Sequence, residues 1–202
     1  MNTSVSLIIQ RPERFAPAHL VIRLLLLIGV STLAGSHGWP GLFVYMGLPA
    51  ISGILISEHG GRGYLDRDAP GLIRVLHWLV GLYAYMALLT DRFPTGSDDA
   101  IRLEVVPSGE PTVGSAVTRI VTSLPALLAL WVLGLLGFFV WIIAAVFVVV
   151  SRHYPDGLFD FQCGVLRFHA RFLAWHASLT DRYPSSMMEE ATGGLQPQDQ
   201  HP

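Results

Sequence analysis

The chain has 202 residues, 51% of them apolar and 14% charged, with a mean hydropathy of +0.49. That is too apolar for a soluble domain of this length, and the apolar residues gather in blocks, which points to a bilayer. A net charge of −2 supplies no field for nucleic acid, and the single cysteine, Cys163, excludes an intramolecular disulfide and most cysteine-based metal sites.

Residues 1–15 lack a basic segment followed by a short apolar core, so no cleavable signal is expected and the first apolar block should stay as an anchor. Residues 4–10 alternate loosely and are β-branched, which predicts a short strand. Residues 18–34 are apolar apart from His19 and Arg23 near one end, about the length that crosses a hydrocarbon core of roughly 30 Å. A turn without charge at 35–41 holds Trp39, suited to a membrane interface, and residues 42–57 return with a kink expected at Pro49. Polarity jumps over 58–68, where the glycines at 60, 61 and 63 read as a flexible joint, and a helix follows over 70–90.

The same order then recurs. Residues 101–106 read as a strand standing where 5–10 stood, and the link 107–114 leads to Arg119, which matches Arg23 in position. Residues 120–151 are almost unbroken in apolarity, and one straight helix of that length would run to about 48 Å. A hairpin breaking near 134–137 is therefore expected, followed by a helix over 158–180 and a polar tail, 185–202, expected to be disordered.

The helix segments repeat in detail. Residues 73–94 and 163–184 coincide at Val75/Val165, Leu76/Leu166, Ala84/Ala174, Ala87/Ala177 and Leu89/Leu179. Both then close on Thr90, Asp91, Arg92 and Pro94 or on Thr180, Asp181, Arg182 and Pro184, with an aromatic residue before the proline. The chain is thus read as an all-α integral membrane protein of two tandem repeats, each a transmembrane helical hairpin (18–57, 120–151) plus an amphipathic interfacial helix, with a small cytoplasmic strand element. The first unit covers 1–94, a cytoplasmic link 95–118 and the second unit 119–184. No arginine lies in either expected turn, so the positive-inside rule places both termini in the cytoplasm of a bacterial inner membrane protein.

At 100° per residue the second helix divides into faces. Phe161, Val165, Phe168, Phe172, Trp175 and Leu179 form an aromatic stripe flanked by Arg167 and Arg171, as expected of a helix lying in the interface with its rings among acyl chains. Leu166, Ala170, Leu173 and Ala177 form a narrow face for another helix, and burial between the two units is the rival reading. The residue before a proline is pushed out of the α region, so both helices should stop near Phe93 and Tyr183, with the Thr-Asp-Arg closure acting as a structural lock. Arg23 and Arg119 are expected to snorkel to lipid phosphates.

From Arg119 to Pro184 the chain resembles the bacterial membrane-protein family of domain of unknown function 4389. The resemblance lies in Ser151-Arg152-His153-Tyr154-Pro155, Gly157-Leu158-Phe159-Asp160-Phe161, Gly164-Val165-Leu166-Arg167, Arg171 and Leu179-Thr180-Asp181-Arg182-Tyr183-Pro184. The first unit looks like a diverged copy, with Gly61-Arg62-Gly63-Tyr64-Leu65 in place of the Arg-Tyr-Pro run, and Ser185-Ser186 stand where members often place a second proline and an aromatic. The resemblance implies a membrane protein and supplies no activity.

Chemistry is sparsely signalled. His169 and His176 share a helical face at a spacing that can face a metal or haem, but no carboxylate or cysteine cluster stands beside them and no nucleophile elbow is present. No enzyme activity, metal or cofactor is expected. The leading expectation is a non-catalytic accessory or assembly subunit, with membrane lipids and a membrane complex or a homodimer as partners and no nucleic acid. The alternative is a lipid-binding or lipid-transporting protein with a groove lined by Arg167, Arg171 and Arg74.

Overall fold

The computed structural model describes residues 4–35, 39–95 and 100–184, with side chains omitted over 30–44. Residues 36–38 of the first expected turn and the whole tail, 185–202, lie outside the described residues. The chain is mostly helical with a small sheet, in the order β1 Val5–Ile9, α1 Ala18–Gly35, α2 Trp39–Gly63, a π-helical turn Tyr64–Asp68, α3 Ala69–Met86, β2 Ile101–Val105, α4 Val113–Thr122, α5 Leu124–Ser151 and α6 Asp156–His176.

The two segments expected as strands are strands, and each is the other's partner. They pair antiparallel with Val5 opposite Val105, Leu7 opposite Leu103 and Ile9 opposite Ile101. Val5 and Leu7 are buried, while Arg102 and Glu104 face out and pair with each other at 2.8 Å. Burying one face and wetting the other is what fixes the register of so short a ladder. β1 packs on α6 and β2 on α3.

α1 and α2 form the first pair of apolar arms. Pro49 keeps helical dihedrals, and the break in α2 falls instead at Gly60 (φ 72°, ψ 168°), a conformation open only to glycine. Pro49 still has a consequence. It has no N–H for the carbonyl of Tyr45 four residues back, and the imidazole of His176 donates Nε2–H to that carbonyl at 2.7 Å.

The expected second hairpin is not formed. α5 runs unbroken from Leu124 to Ser151, 28 residues or about 42 Å, and is the one helix among the described residues long and apolar enough to cross a membrane. Gly134 and Gly137 do not break it, because a glycine inside a helix costs only about 1 kcal/mol. At Gly137 the missing side chain is filled by Gln162, whose Oε1 lies 3.0 Å from where a Cβ would stand. Arg119 and Arg152 consequently flank opposite ends of one helix rather than the base of a hairpin. The surface of α5 is open along its length, with Trp131 68% and Val150 80% exposed.

α6 is also placed differently from the interfacial reading. α3, α4, α5 and β1 all pack on it, and both the aromatic stripe (Val165, Phe168, Phe172, Trp175) and the small face (Leu166, Ala170, Leu173) are buried. An apolar stripe reports that a face seeks cover without saying whether lipid or protein supplies it, and here protein does. α3 packs against α6, so the helices read as copies lie side by side.

Both helices stop four residues before the closing Thr-Asp-Arg instead of running into it. Leu88 (φ 64°) and Ser178 (φ 58°) turn left-handed. The N–H of Leu89 then reaches back to the Ala84 carbonyl and that of Leu179 to Ala174, at 2.9 and 3.0 Å. This is the Schellman closure, which usually places glycine at the left-handed position. Ser178 is buried and its hydroxyl has no hydrogen-bond partner among the described residues. Ser178→Gly should therefore stabilise the protein by about 1 kcal/mol, relieving a left-handed cost of roughly 1–2 kcal/mol against a smaller loss in chain entropy. Denaturant unfolding in detergent that shows a loss of stability would overturn this account of the helix stop.

Candidate functional site

The two buried arginines stand at the C-terminal ends of α3 and α6, where a helix leaves carbonyls without intrahelical donors and a partial negative charge. At the end of α3, Arg23 donates from Nε to the Tyr85 carbonyl at 2.7 Å, and from one terminal nitrogen to the Thr90 carbonyl at 2.6 Å and Asp91 Oδ1 at 2.9 Å. At the end of α6, Arg119 donates to the carbonyls of Trp175 and Thr180 (2.8 Å for the latter) and to Asp181 Oδ1 at 2.6 Å. Each guanidinium lies over the aromatic ring of the residue whose carbonyl it holds, 4.5 Å from Tyr85 and 5.2 Å from Trp175. The two clamps thus use the same four roles, with acceptors ninety positions apart.

Arg23 is 0% exposed and Arg119 5%, so neither reaches lipid phosphate, as their place near the ends of apolar segments had suggested. Helix-end carbonyls and an aspartate supply inside the protein what phosphate would have supplied outside. Burial draws the Arg119 guanidinium below its ordinary pKa range, opposed by Asp181, and arginine stays charged at any working pH.

The closing residues shape the acceptors. Thr90 and Thr180 are buried, and their hydroxyls accept from the N–H groups of Arg92 and Arg182 at 3.1 and 3.2 Å, forming a tight turn that presents the aspartate backwards. Asp91 also accepts from the Ala16 N–H at 2.7 Å. Gly109 (φ 95°) lies so close to Asp181 that a Cβ would stand 1.8 Å from its Oδ2. Pro94 packs on Gly81, and Pro184 is buried.

Other carbonyls at these helix ends are held across the molecule. Trp141 of α5 donates Nε1–H to Met86 at 2.8 Å, and Ser52 of α2 and the Tyr64 hydroxyl both donate to Ala177. None of these caps is signalled in the sequence beyond a polar atom standing in an apolar run.

The other predicted residues are spread out. Arg74 lines a pocket of about 190 Å³ with His77, Trp78 and Arg92, whereas Arg167 and Arg171 are half-buried on α6 and do not line it. Trp175 lies under Arg119 and against Tyr183, not among lipids. The histidines are separately engaged: His176 stacks between Tyr45 and Phe172, and His169 packs on Tyr83 with its pKa drawn down to about 4 by burial. Cys163 is buried and its thiol pushed up to about 11, which makes it a poor nucleophile.

Residues 114–188 match the family model described as Domain of unknown function (DUF4389), as the motifs between Ser151 and Pro184 led us to expect. The match takes in nearly all of α4, together with α5, α6 and the second clamp. No curated protein and no solved structure matches the chain.

The clamps differ in wetness: the Asp91 side chain is 17% exposed and that of Asp181 55%. Asp91→Ala strands a fully buried cation and should cost about 3 kcal/mol, near the range for breaking a buried pair. Asp181→Ala should cost about 1 kcal/mol, as for a screened one. Equal losses on unfolding in detergent would contradict this ranking.

Proposed function

We propose that the protein is a multi-pass integral membrane protein with no catalytic chemistry of its own, working as an accessory or assembly subunit of a larger membrane complex. The observation that carries this reading is the contrast between its charged groups and its surface. Arg23, Arg119, Asp91 and Asp181 are engaged in holding helix ends, while α1 and α5 leave Val21, Leu25, Leu128, Trp131, Val146 and Val150 open. Apolar surface on that scale marks contact with lipid or protein. α4 adds a narrower face, with Val113, Val117 and Val121 exposed at four-residue spacing while Ala116 and Arg119 are buried.

In this reading the chain is two copies of a strand-and-three-helix unit, β1–α1–α2–α3 and β2–α4–α5–α6, which explains why Tyr85 and Trp175, Thr90 and Thr180, and Asp91 and Asp181 serve alike. A bacterial inner membrane is its place, with both termini on the cytoplasmic side. Ser4 and Leu179 both accept from the segment that follows β2, Val106 N–H donating to the Ser4 carbonyl and Ser108 N–H to the Leu179 carbonyl at 2.9 Å each, so both ends of the described chain lie near one another there. Lipid binding or transport is the second reading, favoured by the pocket where Arg74 and Arg92 stand beside Trp78, a cation pair with an interfacial aromatic.

Two measurements test the proposal. Extracted from its own membrane in mild detergent, the protein should migrate far above 22.1 kDa with reproducible partners, and Val117→Glu should release them without unfolding it. A monomer carrying only lipid, lost on Arg74→Gln, would replace the first reading with the second. For the crossing itself, Thr122→Cys and His153→Cys should react with an impermeant maleimide from opposite sides, Cys163 remaining silent. Labelling from one side only would lay α5 along a single leaflet.

A further inference from the structure

Two pockets of about 190 Å³ each adjoin at the end of the ladder where Ile9 pairs with Ile101, and Arg92 stands in the wall of both. Arg74, His77 and Trp78 of α3 line the first, and His77 ties it to β2 by donating Nε2–H to the Ile101 carbonyl at 2.9 Å. Arg11 and Arg14, from the segment between β1 and α1, line the second together with Asp91. Charge there is one-sided. Both oxygens of Asp91 are taken, Oδ1 by Arg23 and Oδ2 by the Ala16 N–H, and Arg11 is tied to Asp156. Arg14 and Arg74 are exposed and make no ion pair among the described residues.

The fold sets the level of these cations. Phe15, next to Arg14, donates its N–H to the Arg152 carbonyl at 3.1 Å, so the segment carrying Arg14 is fastened to the residue on which α5 ends. The exposed apolar run of α1 begins a few residues later, at Val21 and Ile22. With α5 as a crossing helix, its end and the start of that run lie where headgroups meet acyl chains, so the guanidiniums stand at the level of the phosphates. Trp78 lies one turn beyond Arg74 on the same face of α3, and Trp78, Val75 and Phe93 are all exposed. Exposed arginines with a tryptophan and aliphatic neighbours beside them suit a molecule that is anionic at one end and apolar at the other.

From this we infer that the adjoining pockets seat the headgroup of a net-anionic phospholipid of the cytoplasmic leaflet, its phosphodiester at Arg74 and Arg92, the rest of the headgroup toward Arg14 and its acyl chains past Trp78. A guanidinium meets a phosphate with two parallel hydrogen bonds, which gives the phosphodiester its place. The headgroup ammonium of a zwitterionic lipid finds no partner here, because the one carboxylate lining the pockets is already engaged twice. The inference rests on the membrane reading above and deepens its lipid alternative by naming the lipid class. A subunit of a complex can carry such a lipid as readily as a transporter can.

The test is native mass spectrometry of the full chain in mild detergent, titrated with dioleoyl phosphatidylglycerol or with dioleoyl phosphatidylcholine, which differ only in the headgroup. Wild-type protein should bind the phosphatidylglycerol about tenfold more tightly, a modest worth for two arginines on one phosphate. Arg14→Gln with Arg74→Gln should remove that preference, and both side chains are exposed, so the fold should survive. Arg102→Gln, an equal loss of charge on the outer face of the ladder and outside both pockets, should leave the preference intact. Glycerol phosphate, the headgroup without its chains, should fail to displace the lipid. No preference in wild type, a preference that survives the double substitution, an equal loss with Arg102→Gln, or displacement by glycerol phosphate at lipid-like concentrations would each overturn the inference. The readout is taken in detergent and does not depend on which side labels Thr122→Cys and His153→Cys. Single-sided labelling with the preference intact would remove the crossing and leave the site, and opposite-sided labelling with no preference would remove the site alone.

Discussion

A guanidinium buried at the C-terminal end of a helix is the constraint around which this molecule is arranged. A helix that ends in apolar surroundings leaves carbonyls that water cannot reach, and each would cost a few kcal/mol if left unmade. At α3 the acceptors at Tyr83, Ala84, Tyr85 and Met86 are met by Ala87, Leu89, Leu88 with Arg23, and Trp141. At α6 those at Leu173, Ala174, Trp175 and Ala177 are met by Ala177, Leu179, Ser178 with Arg119, and Tyr64 with Ser52. Arginine suits the position because its donors fan out in one plane, so a single side chain can hold two carbonyls and a carboxylate, and its charge opposes the helix dipole.

The same economy of donors ties the parts of the chain together. Trp141 lies on α5 yet closes α3; Ser52 and Tyr64 belong to the first half yet close α6; and Pro49, by withholding a donor, draws His176 onto α2. Each of these bonds is short-range and local in chemistry but joins residues more than fifty positions apart. The core between α3 and α6 is therefore fixed at its ends by polar contacts as well as along its length by packing.

Much of this was legible from residue order. The alternation at 5–9 and 101–105 gave strands, the apolar blocks gave α1 and α2, and the shared Thr-Asp-Arg closures pointed to a lock at two helix ends. What misled was ambiguity about the medium. A stripe of Phe168, Phe172 and Trp175 looks the same whether acyl chains or the rest of the protein will cover it, and Arg23 near the start of an apolar run looks the same whether phosphate or Asp91 awaits it. Length misled once more: 32 apolar residues exceed one crossing, but the helix starts at Leu124 and runs straight through Gly134, which borders open space, and Gly137, which meets Gln162. The stops at Met86 and His176 were hidden because Leu88 and Ser178 adopt a conformation that sequence assigns to glycine.

The ladder has a consequence for how the chain is made. Its first strand, Val5–Ile9, leaves the ribosome long before its partner Ile101–Val105 exists. At about 5–20 residues per second the interval is roughly 5 to 20 seconds. Through that window Val5 and Leu7 lack cover and the strand offers an open edge to any neighbouring nascent chain. The helices α1 to α3 emerge meanwhile and must find their places without it. The sheet thus closes after α1 to α3 but before α4 to α6 emerge, and the hazard its first strand poses belongs to biosynthesis, not to the finished protein.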